Sequence, residues 1–583
     1  MCGIAGFNFN VDTKKVQKSL FHRGPDAQSA WSDENFHLIH TRLAIVDIAH
    51  GVQPFEYGEY VIVFNGEIYN HLELRKTLRE FVFHTKSDTE TLLYLYIKYK
   101  EKLFSKLDGM FAFAIYNKKT KQLFLARDRA GKKPLYIYQE GQKFAFASEI
   151  NTLKFLPLSI NGDDINLFLS TGFCESGYNE ISEFPAGHYG YFQKELHTQR
   201  YFDILEYYQK PKITSFEESL TLVDEALEQS VKSRLLSSDV EVGAFLSGGI
   251  DSSLIVAKAS KYKELQTFTV RFRDGIDESA LASLVAKKYN TKHHIIDIEF
   301  DVKENIEHIL QSYGRPFFDS SAVASYFVSK EARKYVKVVL NGDGADELFG
   351  GYRRYVPLAN HFDTIAKYFS FLLPYLKPKN RSKLMFLQRL IRLSNKRGIE
   401  WYNTLLNNLF VDNYSFSSTK ITQLNNFIES VPLNSFEKLL YIDFEKNLGG
   451  LLMKIDIATM QNSLEGRSPF LSKYFLELAP RIPYKIKGLR TKYILRHLAK
   501  SYLPQELINA PKRGFEVPLT KWVEQDLKEM IFDYLAKGFY KNFIDERFVQ
   551  DIMENKTTIS QEQRAKILYL LFSLEVWHEN SLS

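Results

Sequence analysis

At 583 residues, the chain is long enough for more than one domain, each with a core of its own. Hydrophobic residues make up 45% and charged residues 25%, a globular balance, and a net charge of +6 over this length demands neither nucleic acid nor a membrane partner. Only Cys2 and Cys174 are cysteines, which excludes a disulfide framework and a C-x-x-C metal site and points to a reducing cytoplasm.

The chain opens with a cysteine directly behind Met1. If Met1 is removed, Cys2 carries a thiol and a free α-amine, whose ordinary pKa of ~7.7–8.0 lets it act as base for its own thiol. No charged n-region with an apolar h-region precedes the first predicted strand, so secretion is not expected. Tyr60–Phe64 reads as a strand entering Asn65-Gly66, a pair that by itself reads as a hairpin turn. Ser87 caps a helix through Tyr99, with Glu90 placed as its capping-box partner. Met110–Tyr116 with Gln122–Arg127, and Pro134–Tyr138 with Lys143–Ala147, read as hairpins. Residues 2–150 are expected to form one domain and 151–210 a connector with short elements.

Beyond the connector the period changes. In Ser215–Leu236 apolar residues recur at three- or four-residue steps (Phe216, Leu220, Val223, Leu227, Val231, Leu235), the pattern of a core-facing helix. Strands Val242–Leu246, Thr267–Phe272, His293–Phe300 and Val336–Leu340 alternate with helices Ser252–Tyr262, Glu278–Tyr289, Val302–Tyr313 and Ser321–Tyr335. This alternation predicts a parallel sheet covered by helices, with ligands at the carboxyl ends of its strands.

Two of those ends carry chemistry. Ser247-Gly248-Gly249-Ile250-Asp251-Ser252-Ser253 puts two glycines, three hydroxyls and the first helical N–H groups around one anion. It lacks the lysine of a G-x-x-x-x-G-K-[ST] loop. Asn341-Gly342-Asp343-Gly344-Ala345-Asp346-Glu347 follows the strand ending at Leu340 and is rich in glycine and acid. Asp251 and Asp346 are the candidate Mg2+ ligands, since Mg2+ takes one or two carboxylates plus phosphate oxygens. From about Arg353 the chain is helical, aromatic and basic. Phe362–Leu376 comes nearest to a membrane span, but Asp363, Lys367 and Pro374 interrupt it. Lys377–Arg397 holds eight Lys/Arg among apolar residues and is expected to be a solvated surface helix.

Cys2, His22-Arg23-Gly24-Pro25-Asp26, Asn65-Gly66-Glu67 and Ser87-Asp88, in this order, resemble a class II glutamine amidotransferase domain, an N-terminal-nucleophile hydrolase of sandwiched antiparallel sheets. The Ser247–Ser253 run resembles the loop of enzymes that split ATP into AMP and pyrophosphate. Together they resemble the glutamine-hydrolysing asparagine synthetase family, whose second half is an α/β parallel-sheet ATP-pyrophosphatase domain with a helical C-terminal part, here 211–530 with a helical extension over 531–583. The resemblance implies Cys2 as nucleophile, Asn65 and Gly66 as oxyanion donors, and Arg42, Leu43, Ile45, Val46, Glu67 and Asp88 as glutamine contacts. It implies ATP contacts at Leu246, Ser247, Gly248, Gly249, Asp251, Ser252, Val270, Asn341 and Gly342, with Lys512 at the phosphates. ATP as co-substrate, Mg2+, glutamine and aspartate follow as partners. Neither nucleic acid nor a membrane is expected, and a homodimer is allowed. The chain departs from the family at Asn341, where Ser is usual, at Ser472, where Asp closes the segment, and at Asp319-Ser320-Ser321 near the acceptor. Another acceptor, such as a sugar carboxylate in surface-polysaccharide synthesis, therefore stays open.

Overall fold

A computed structural model describes residues 2–272, 277, 279–298, 302–375, 383–406, 409–410, 414–483, 485, 490–510, 517–557 and 559–581. In the first 200 residues, period-two sequences make two six-stranded antiparallel sheets. The first sheet is ordered Ile181–Glu183, Tyr136–Glu140, Lys143–Ala147, Cys2–Phe7, His37–Arg42, Ala27–Ser32. The second is ordered Leu196–Arg200, His188–Phe192, Gln122–Arg127, Gly109–Asn117, Tyr60–Ile68, Phe55–Tyr57.

Alternation along each strand decides what each face buries. Ile4, Leu38 and Phe146 of the first sheet share a cluster with Val61, Val63 and Ala112 of the second, so these faces pack on each other. The intervening residues Ala5 and Phe7 join Ile165, Phe168, Leu568 and Phe572 from helices Gly162–Thr171 and Gln561–Glu579. On the far side, Ile62 and Phe64 meet Leu92 and Leu95 of helix Asp88–Tyr99. The result is helix, sheet, sheet, helix, the sandwich expected of an N-terminal-nucleophile hydrolase. Residues 151–210 are packed into it, since three of their segments are sheet strands. The C-terminal helix returns to cover the same layer.

Asn65-Gly66, a pair that in isolation reads as a turn, lies inside strand Tyr60–Ile68, which is paired throughout with Gly109–Asn117. One local expectation is corrected. Ser87 does cap its helix, accepting from the Thr89 N–H at 3.2 Å, but Glu90 is no capping-box partner. Its carboxylate accepts instead from the N–H groups of His84 and Thr85, and the Ser87 N–H donates to Thr85 Oγ1. The preceding loop offers Glu90 two unpaired N–H groups, which outcompete the single N–H at the cap.

The second half is the predicted parallel sheet, ordered Lys292–Ile298, Gln266–Phe272, Val242–Phe245, Val338–Leu340, Glu465–Arg467. Val338–Leu340 begins two residues later than its apolar run implied, and the preceding helix ends at Ala332. Helix Phe216–Leu236 is capped by Ser215 and buries Val223, Leu227, Val231 and Leu235, each contributing roughly 1.5–3 kcal/mol. The fifth strand, Glu465–Arg467, has no period of its own in the sequence. Three residues are too few to show alternation, and only pairing with Val338–Leu340 makes them a strand. Of Lys377–Arg397, the described helix is Lys383–Ser394. Among the described residues no helix is long and apolar enough to cross a membrane.

Candidate active sites

Cys2 begins the strand between His37–Arg42 and Lys143–Ala147, where it is 8% exposed. Burial pushes its thiol above the ordinary cysteine value. Its N–H donates to Asn65 Oδ1 at 3.3 Å and its carbonyl accepts from Arg23 Nε at 3.3 Å. Because Oδ1 faces a donor, Nδ2 must point the other way, and this fully buried Nδ2 has no partner. An amide donor left unpaired in the interior costs about 1–3 kcal/mol. An amide donor so placed beside a cysteine can stabilise an oxyanion. Gly66 is required by space: a Cβ there would lie 2.1 Å from the Met110 carbonyl oxygen. Replacing Asn65 by alanine is expected to lower kcat for glutamine hydrolysis by about 10²–10³-fold. Glutamate release measured under saturating glutamine checks this.

A small cavity in front of Cys2 is lined by the predicted Arg42, Leu43, Ile45, Val46, Gly66, Glu67 and Asp88, and also by Glu465. Arg42 donates to the carbonyls of Val46, Asp47 and Ile48, so its guanidinium holds the loop that walls the cavity. The floor is acidic. Burial, with Glu465 nearby, pushes Asp88 up to about 6 although the Ile68 N–H bonds it at 2.9 Å. Glu67 is held well above the carboxylate range by burial and by Asp88, and its Oε1 has no hydrogen-bond partner. Such a floor attracts an ammonium group while Asp88 is ionised. The sign follows directly: as pH falls through about 6, Asp88 takes a proton, loses its charge and attracts the ammonium less. KM for glutamine is expected to rise as pH falls below about 6, in a pH series of initial rates, on top of a fall in kcat that begins higher, where the α-amine of Cys2 takes a proton.

At the second site, the Ser247–Ser252 loop leaves the carboxyl end of Val242–Phe245, where neighbouring connections run to opposite sides of the sheet. Gly248 has φ +70°, which favours glycine. Ser247 Oγ and Ser252 Oγ lie 3.1 Å apart, and the Ser247 N–H donates to Ser252 Oγ at 3.2 Å, which closes the loop on helix Ile250–Ala259. Leu246 is buried, with its N–H on the Phe268 carbonyl at 2.9 Å, and Val270 lies partly buried on the adjacent strand. The acidic turn joins this loop: a Cβ on Gly342 would be 3.1 Å from the Asp251 Cβ. Asn341 Oδ1 accepts from Ser468 Oγ at 2.7 Å, and its buried Nδ2 is unpartnered.

Lys492, which carries no sequence signal beyond a basic run before a helix, stands between Asp251 and Asp346. Its ammonium pairs with Asp251 and lies 2.7 Å from Asp346 Oδ1, at 3% exposure. Asp251 Oδ1 has no hydrogen-bond partner. Two hard carboxylates around one cation, one with an unused oxygen, fit Mg2+ shared with phosphate oxygens. Lys512 lies outside the described residues. Near the expected acceptor position, Asp319 accepts from Ser321 N–H and Oγ, and Lys454 Nζ donates to Asp319 at 2.9 Å and Ser321 at 2.8 Å. Ser472 caps helix Lys473–Leu478.

The two sites meet along a buried charged seam. Arg23 pairs with Glu149 and with Asp456, both at 2.8 Å, and Lys133 reaches Asp456 at 3.0 Å. Lys132 reaches Asp343 in the acidic turn at 3.2 Å. Strand Glu465–Arg467 touches both sites. Glu465 lines the Cys2 cavity, while Arg467 bonds Glu67 at 3.2 Å through Nη2 and accepts the Asn341 N–H at 2.9 Å through its carbonyl.

A buried cysteine at the start of an internal strand of an antiparallel sandwich, docked on a parallel sheet with a phosphate-type loop, is the layout of a glutamine amidotransferase joined to a ligase half. The chain belongs to the asparagine synthase family: that family's sequence model matches residues 222–579, and the glutamine amidotransferase domain model matches residues 1–202. It is 33% identical to glutamine-hydrolyzing asparagine synthetase 1 of Bacillus subtilis (strain 168), over 99% of this chain and 96% of that relative. It is 32% identical to a putative glutamine-hydrolyzing asparagine synthetase of Mycobacterium bovis, over 96% and 92%. Glutamine-hydrolyzing asparagine synthetase 3 of Bacillus subtilis is 30% identical over 88% and 87%.

Proposed function

We propose that the chain makes asparagine from aspartate, taking the nitrogen from glutamine and the driving force from ATP, in the reducing cytoplasm that a thiolate nucleophile requires. The observation that supports this reading best is strand Glu465–Arg467, which walls the Cys2 cavity with one residue and anchors the nucleotide turn with another. Once Met1 is removed, the α-amine of Cys2, held by Asn65 Oδ1, takes the thiol proton. The sulfur attacks the glutamine amide carbon, Asn65 Nδ2 and Gly66 N–H receive the oxyanion, and ammonia leaves a glutamyl-thioester that water cleaves to glutamate. The loop held by Arg42 frames the substrate carboxylate, with Leu43, Ile45 and Val46 as walls, and Asp88 with Glu67 receives the ammonium.

In the other half, Leu246 and Val270 flank the base, and Ser247, Gly248, Gly249 and Ser252 hold the phosphates, with Asn341 and Gly342 beside them. Asp251 and Asp346 would hold Mg2+, which neutralises phosphate charge when bound. The aspartate side-chain carboxylate attacks the α-phosphorus and pyrophosphate leaves. Ammonia, passed internally along the seam, then displaces AMP. Internal passage matters because ammonia released to neutral solvent is protonated and no longer nucleophilic.

The test is AMP release from MgATP and glutamine, with and without aspartate. Asparagine and AMP formed in equal amounts, only when aspartate is present, is the expected result. Glutamate release without aspartate-dependent AMP would reject aspartate as acceptor while leaving the amidotransferase half in place.

A further inference from the structure

The short helix Phe362–Ala366 and the 3-10 turns Lys367–Tyr375 form a small unit beyond the nucleotide site. Their inward residues Phe362, Leu372 and Leu373 pack with Leu387, Leu390 and Ile391 of helix Lys383–Ser394, a cluster separate from the main cores. Among the described residues, the outward face has no such cover. Tyr368 is 80% exposed, Phe371 66% and Tyr375 82%, with Ile365 and Phe369 exposed beside them. Single exposed apolar residues are ordinary, but five within eleven positions of one short helical segment are a concentration that calls for an occupant.

Charge narrows the choice of occupant. Between 364 and 399 the sequence holds nine Lys/Arg and no Asp or Glu, against +6 for the whole chain, so the remainder is net acidic. Lys367 and Arg397 are exposed within this stretch. A second copy meeting the same face across a two-fold axis would bring Lys367 and the like-charged segment that follows it towards their own copies. An anionic surface complements it. The apolar groups are aromatic and aliphatic together on helical turns, which suits insertion at a headgroup boundary, where Tyr and Phe lodge and Lys and Arg meet phosphates. Base stacking would use aromatic faces without Ile365. We propose that this face is a peripheral docking surface for an anionic phospholipid layer. Apolar insertion and a basic stretch supply the two signals that stable surface attachment needs.

The test is sedimentation of the full chain with vesicles of phosphatidylcholine alone or mixed with phosphatidylglycerol. Binding is expected only to the anionic vesicles and is expected to fall as salt screens the basic stretch. A Tyr368→Ser/Phe371→Ser/Tyr375→Ser variant is expected to partition about tenfold or more weakly, because three apolar groups no longer leave water. Its glutamate release from glutamine should match the parent, which shows that the fold is intact. No sedimentation with anionic vesicles, or equal sedimentation of the triple variant, overturns the proposal. So does a dimer that the variant dissolves without vesicle binding by either protein, or RNA retention in its place.

Discussion

Replacing Cys2 by alanine is expected to remove glutamine-supported AMP and amide formation, by about 10⁴-fold or more, while ammonia-supported formation stays within about threefold of the parent. Cys2 is the one thiol lining the cavity, and the lining hydroxyls of Ser87 and Thr89 are tied into the cap of helix Asp88–Tyr99 and to Gln53, so neither replaces it as nucleophile. The nucleotide site proposed above groups Ser247–Ser252, Asn341–Asp346 and Lys492, and takes no atom from Cys2. Alanine fits the strand without disturbing its ladder to His37–Arg42. Glutamate and AMP are followed with glutamine, then with ammonium chloride at alkaline pH, where more ammonia is unprotonated. Equal loss with both nitrogen sources would make Cys2 structural. Loss with neither would remove it from the reaction.

Asp456→Asn is expected to destabilise the protein by about 3–5 kcal/mol, because it leaves Arg23 and Lys133 buried without their shared counter-charge. Both cations and Asp456 are at most 1% exposed, so water cannot replace the lost carboxylate. Burial alone would raise Asp456, yet Arg23 and Lys133 hold it well below the ordinary carboxylate range. Its stabilisation is therefore intact at neutral pH and is lost only as pH falls below ~3.9 towards the depressed folded value. Urea unfolding should show a lower midpoint for Asp456→Asn. Because Arg23 also holds the Cys2 carbonyl, glutaminase activity should fall with it. Asp456→Leu combined with Lys133→Met should recover part of the midpoint, since apolar replacement of a buried pair is often neutral. A midpoint unchanged in Asp456→Asn would mean that the seam contributes no stability.

Much of the architecture was legible in the residue order. Period-two strands and a 3.6-period helix over Ser215–Leu236 gave the antiparallel half and the parallel half within a few residues, because burying one face imposes those periods. The Gly–Ser loop after Val242–Phe245 and the acidic turn after Leu340 were placed at strand ends by the same pattern. What the residue order left ambiguous was local and competitive. Asn65-Gly66 has the composition of a turn, yet nine paired residues of strand override it. Glu90 has the spacing of a capping box, yet nearer N–H groups claim it.

The sequence by itself determined the residue types that can do the chemistry and the period of the elements that carry them. Both are properties of neighbours along the chain. Only the tertiary structure decided that Glu465 belongs to the Cys2 cavity, that Lys492 stands between Asp251 and Asp346, and that Asp456 closes a seam with Arg23 and Lys133. Those contacts join residues hundreds of positions apart, and their energy comes from charges sharing a space without water. No local pattern records that.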